Sequence, residues 1–133
     1  MIVAALILIF ALVGCAAPAE PQPNSQGYTN IDVETLEKMI NERRDTFLLV
    51  NTHIPFEGNI PNTDLTIPFN EITDNLDKLP EDKDAEIVLY CRSDNMSHAA
   101  SRDLVEAGYT NVKNLVGGFL AWEDAGLPLE IAP

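Results

Sequence analysis

Glu86-Ile87-Val88-Leu89-Tyr90-Cys91-Arg92-Ser93-Asp94-Asn95-Met96-Ser97 is the stretch that decides the fold. It opens with an apolar run, Ile87 to Tyr90, the pattern of a strand buried on both faces. Cys91 follows at once. A polar loop, Arg92 to Met96, then leads to a predicted helix from Ser97 to Ala107, and Gly108 stands where a left-handed helix end wants glycine. Ligands of open α/β sheets bind beyond the carboxyl ends of strands. There, loop N–H groups and the positive end of a helix dipole form a nest for an anion. A thiol in such a nest has a lowered pKa, and the thiolate is its nucleophilic form. The same donors would hold a persulfide or an oxyanion. The blander reading is a small apolar side chain filling the edge of the core.

The flanking sequence repeats the alternation. Asp32 is a predicted N-cap for a helix carrying Val33, Leu36, Met39 and Ile40 and ending near Arg43-Arg44. Thr46 to Thr52 reads as a buried strand. Ile54 to Pro68 reads as a loop, with a short strand at Leu65-Thr66-Ile67. Asn70 is a predicted cap for a second helix with Ile72, Leu76 and Leu79 on one face, and a charged turn, Pro80 to Asp84, follows. Beyond Gly108, Val112 to Val116 reads as a third central strand, Gly117-Gly118 as a break, and Phe119 to Ala125 as a short helix ended by Gly126. Alternating strands and helices predict an α/β domain: three layers, a mostly parallel central sheet and helices on both faces.

The chain of 133 residues carries a net charge of −13, with 46% hydrophobic residues. That charge argues against a nucleic-acid binder, which needs a basic footprint, and against adhesion to anionic lipid through a charged face. Residues 1–14 read as a signal segment. Met1 to Val13 is apolar but shorter than the roughly 20 residues a bilayer span needs. Leu12-Val13-Gly14-Cys15 resembles a bacterial lipobox. That resemblance implies cleavage before Cys15, lipidation of Cys15, and an extracytoplasmic protein held at a membrane by its lipid. A signal of this kind normally opens with Lys or Arg, which is missing after Met1. Residues 15–27 hold the lipidated cysteine and a proline-rich tether, and residues 28–133 the folded domain. With Cys15 lipidated, Cys91 has no partner for a disulfide.

Tyr90-Cys91-Arg92-Ser93-Asp94-Asn95-Met96-Ser97 resembles the active-site loop of the rhodanese family. So does the remainder, through Leu104, Gly108-Tyr109-Thr110-Asn111-Val112, Leu115-Val116-Gly117-Gly118, Ala121-Trp122 and Gly126-Leu127-Pro128. The resemblance implies a sulfurtransferase. Cys91 would take sulfur from thiosulfate or a low-molecular-weight persulfide and pass it to a thiol acceptor, a small molecule or a protein. Arg92, Ser93, Asp94, Asn95, Met96 and Ser97 would form the substrate-binding loop. No metal or organic cofactor is implied, and the protein is expected to be a monomer. Departures stand out at three places: the loop, the end of the strand predicted at 46–52 and the turn after it. Asp94 replaces a common glycine and brings a carboxylate that would repel an anion and raise the thiol pKa, although aspartate tolerates a left-handed backbone. Met96 stands where a basic residue is frequent. Asn51-Thr52-His53 replaces Asp-Val-Arg, and Gly58-Asn59-Ile60-Pro61 replaces Gly-His-Ile-Pro. Asn51 and His53 are therefore candidate pocket residues of changed character. The rival reading is a catalytically weak binding or sulfide-sensing module. Phosphatase chemistry is disfavoured, because Cys-x5-Arg would need arginine where Ser97 stands.

The remaining candidates have plainer readings. The histidines are His53 and His98, and no Cys or His cluster has metal-ligand spacing. His98 is expected in solvent, Ser97 as a helix cap, and Trp122 in the core. Arg92 is read as steering an anionic donor. Met96 is read as a polarizable rim favouring an apolar donor. The acidic runs at 74–77 and 81–84 are expected to be solvated.

Overall fold

A computed structural model describes Gly14, Ala17 and residues 19–132. Residues 1–13 of the signal segment 1–14 and the lipidation candidate Cys15 lie outside the described residues. In chain order the elements are β1 (Thr29–Ile31), α1 (Val33–Arg43), β2 (Leu48–Asn51), β3 (Leu65–Thr66), β4 (Ile87–Tyr90), α2 (Asn95–Glu106), β5 (Val112–Leu115) and α3 (Gly118–Asp124). Short 3₁₀ turns occupy Arg44–Thr46, Phe69–Glu71 and Thr73–Lys78. The strands form one sheet of five in the order β1-β5-β4-β2-β3, every pair parallel.

The apolar run of β4 follows from its central place. Ile87 and Leu89 pack with Val50, Val112, Ala100 and Leu104 under α2 and the 3₁₀ turns. Val88 and Tyr90 pack on the other face with Leu36, Met39, Leu49, Leu115, Phe119 and Trp122 under α1 and α3. Successive strand residues point to opposite faces, and both faces are covered, so each residue must be apolar or internally bonded.

Local signals explain most boundaries. Asp32 caps α1 through Oδ1, which accepts from the Thr35 N–H at 2.8 Å. That bond holds the Asp32 carboxyl below its ordinary pKa. At the amino ends of the strands Glu86 takes Arg43 at 2.5 Å and Lys113 at 2.7 Å. Trp122 is buried, and its Nε1 donates to the Pro128 carbonyl at 2.9 Å.

Three expectations change. The helix expected after Asn70 is instead a pair of 3₁₀ turns, and no side chain caps either. Thr73, Asp74, Asn75 and Asp77 are weak helix formers, and Asn75 (φ −119°, ψ 24°) interrupts the run. The strand β1 was not anticipated, because Thr29-Asn30-Ile31 carries little apolar pattern and depends on pairing with β5. The helix expected from Ser97 begins at Asn95, which moves Ser97 from the cap into the first turn. Among the described residues no helix is long and apolar enough to cross a membrane.

Candidate active site

Cys91 follows β4 directly, is 2% exposed, and is the free cysteine among the described residues. Because β4 lies between β2 and β5, the segments leaving those two strands flank the cysteine. On the β2 side, the Thr52 N–H and hydroxyl both donate to the Tyr90 carbonyl, at 2.8 and 2.9 Å. On the β5 side, the Phe119 and Leu120 N–H groups donate to the carbonyls of Cys91 and Arg92, at 2.9 and 3.1 Å. That approach requires Gly118. A Cβ there would lie 2.2 Å from the Cys91 carbonyl oxygen, and its φ is +56°.

The loop itself is tied at three points. The Ser97 hydroxyl lies 3.4 Å from Cys91 Sγ and donates to the Asp94 carbonyl at 3.1 Å. The Asp94 carboxylate accepts from the Gly117 N–H at 2.9 Å. The same Oδ1 lies 3.7 Å from His98 Nε2, whose Nδ1 meets the Tyr28 hydroxyl at 2.6 Å. Asp94 has φ −143°, so the loop needs no left-handed residue there. Among the described residues, the N–H groups of Arg92 through Ser97 donate no hydrogen bond. They comprise the loop and the first turn of α2, where a helix has no internal acceptors to offer.

The other candidates divide. Arg92, Ser93 and Asn95 are exposed and Met96 is half-buried on the same loop. The Arg92 Nε lies 3.7 Å from Glu57 Oε2. The same Glu57 oxygen hydrogen-bonds His53 Nε2. The His53 ring packs edge-on against Phe119, centroids 5.5 Å apart, which places it beside the loop's support. Asn51 is committed elsewhere. Its Nδ2 donates to the Gly58 carbonyl at 2.9 Å and to Asn59 Oδ1 at 2.8 Å, while its Oδ1 accepts from the His53 N–H. Asn51 thus braces the turn that the sequence flagged at Gly58-Asn59. His98 is not free in solvent, because Tyr28 holds it and leaves its side chain 27% exposed. Among the described residues no group of three or more His, Cys, Asp or Glu side chains could hold a metal ion.

Two participants were missed from sequence. Glu57, four residues after His53 in a proline-punctuated loop, gave only its spacing as a signal. The Tyr90 hydroxyl accepts from the Ile60 N–H at 3.0 Å and pairs with Thr63 at 2.7 Å. Burial pushes that phenol up to about 12, so it stays neutral and serves as a brace.

The chain that folds into this arrangement matches a family model, the rhodanese-like domain, over residues 24–125. The chain belongs to the rhodanese-like family. This rhodanese-like chain is 39% identical over 106 residues to a sulfurtransferase of Allochromatium vinosum, covering 77% of this chain and 94% of the relative. It is 31% identical over 103 residues to thiosulfate sulfurtransferase 18 of Arabidopsis thaliana, covering 77% and 72%. Among solved structures, a rhodanese-like domain protein of Staphylococcus aureus superposes with a TM-score of 0.63 at 28% identity, covering 78% of this chain and 98% of that one.

Proposed function

We propose that this rhodanese-like protein is a sulfurtransferase carrying sulfur on Cys91. One observation carries the reading. The Cys91 thiol sits at the base of a loop whose backbone N–H groups, Arg92 through Ser97, have no acceptor among the described residues. Such donors stabilise a thiolate and then the terminal sulfur of a persulfide.

The step is a displacement at sulfur. The Cys91 thiolate attacks the outer sulfur of R–S–SH. The new S–S bond forms on Cys91, the old one breaks, and RS⁻ leaves. With thiosulfate the sulfane sulfur transfers and sulfite leaves. An acceptor thiolate then attacks the outer sulfur of the persulfide and regenerates the Cys91 thiolate. The Ser97 hydroxyl, bonded to the Asp94 carbonyl in the thiol form, is placed to turn and donate to the thiolate. The sulfurtransferase names of two relatives support the same chemistry. Attachment to a membrane through lipidated Cys15, with the domain outside the cytoplasm, is part of the proposal. It rests on the lipobox-like residues alone.

The test is the intact mass of the protein after thiosulfate or a small persulfide, with Cys91→Ser beside it. The expected outcome is a cyanide-labile gain of one sulfur, absent in the variant. No gain with either donor, from folded and reduced protein, would leave the binding or sensing module as the better account.

A further inference from the structure

We propose that Glu57 sets donor preference at this site, and that the preferred donor is a persulfide of low charge rather than an oxyanion such as thiosulfate. The inference rests on the sulfurtransferase reading and narrows it to a class of substrate.

A dianion reaching a buried cysteine needs positive potential at the mouth. Arg92 is the single Lys or Arg in the loop from Cys91 to Ser97. Its guanidinium faces the Glu57 carboxylate at 3.7 Å, and the same carboxylate oxygen bonds His53. One acidic side chain therefore engages both Arg92 and His53. Asp94 adds a second carboxylate on the β5 side, against Gly117. Arg43, Lys113, Arg44 and Lys83 lie at the amino ends of the strands, on Glu86, Asp64 and the Tyr109 ring. They cannot serve the opposite pole. The whole chain carries −13, which adds to the repulsion.

An R–S–SH donor of low charge loses little to that repulsion. The chemistry is unchanged: Cys91 thiolate plus R–S–SH gives the Cys91 persulfide plus RS⁻. The Arg92 and Glu57 side chains are 50% and 45% exposed, so the bias is modest and salt-sensitive.

The experiment measures the rate of sulfur gain on Cys91 by intact mass at low ionic strength, with thiosulfate and with cysteine persulfide. The proteins compared are wild type, Glu57→Gln and the double variant Glu57→Gln/Arg92→Ala. The wild type should favour cysteine persulfide. Glu57→Gln should raise the thiosulfate rate relative to cysteine persulfide by about threefold to tenfold. The double variant should lose that gain. Without any variant, the wild-type thiosulfate rate should rise with salt up to about 0.5 M, as repulsion is screened. A wild type that favours thiosulfate, or a ratio that Glu57→Gln leaves unmoved, overturns the assignment while Cys91 still carries sulfur. Sulfur gain from neither donor overturns the sulfurtransferase reading, and this inference with it.

Discussion

Asp94 shows how a residue's meaning depends on its partner. In the sequence its carboxylate stands near the candidate nucleophile Cys91 and reads as a source of repulsion. In the fold it turns to the Gly117 N–H at 2.9 Å and latches the start of α2 to the turn after β5. Such a charge-assisted bond is shorter and stronger than a neutral one. Asp94→Ala should therefore lower stability by about 1–2 kcal/mol. Asp94→Asn, which keeps an acceptor oxygen, should lose less than half of that. Urea unfolding of the two variants checks the difference, and an Asp94→Ala protein as stable as wild type would mean that the latch contributes nothing. The partner lies 23 positions downstream, so no local pattern could reveal it. The same holds for Asn51. Its position at the end of a strand was legible, but its commitment to the Gly58-Asn59 turn was not. Cys91 differs, because its place at the carboxyl end of β4 follows from what surrounds it in sequence: a buried strand before it and a helix after it.

Among the elements, the turn between β5 and α3 governs the shape of the site. Gly117 and Gly118 both have positive φ, at 78° and 56°. Gly118 also lets α3 begin against the backbone of Cys91 and Arg92. Gly118→Ala would force a Cβ to 2.2 Å from the Cys91 carbonyl oxygen. The contacting atoms are backbone and cannot swing aside. The expected cost is about 3 kcal/mol or more, or loss of soluble protein. Thermal melting measures it, and a variant within 1 °C of wild type would contradict the close approach. The Gly-Gly break was visible in sequence, whereas what it packed against was not. Regular elements with strong periodicity, α1 and β4, were legible for the opposite reason, since their patterns are set within a few residues. The segment from Phe69 to Lys78 misled because its apolar spacing at Ile72, Leu76 and Leu79 matches a helix. Its polar residues and the Asn75 backbone favour 3₁₀ turns, and packing of Ile72 and Leu79 into the core stabilises them there.

For the whole molecule, charge is divided between two poles. At the amino ends of the strands Glu86, in contact with Arg43 and Lys113, ties α1 to β5. Burial opposes ionisation of Glu86, but the two cations outweigh it and hold its carboxyl below the ordinary value of 4.5. A depressed folded pKa contributes stability above the ordinary value, which is lost as pH falls through the folded value. Glu86→Gln should thus cost about 1–2 kcal/mol at pH 7. The gap to wild type should narrow as pH drops below 4.5. Melting temperatures of the pair between pH 7 and pH 3 test this, and a gap independent of pH would refute it. At the other pole the cysteine, the open N–H groups and the Glu57–Arg92 pair meet. By itself the sequence determined the α/β class, the central strand and the cysteine at its carboxyl end. Those rest on apolar periodicity and on signals a few residues apart. The tertiary structure alone decided the strand order, the Asp94 latch, the seat of Gly118 and the sharing of Glu57 between His53 and Arg92. Each is a contact between segments that parallel crossovers bring together, and the energy of such a contact is written in no single stretch of chain.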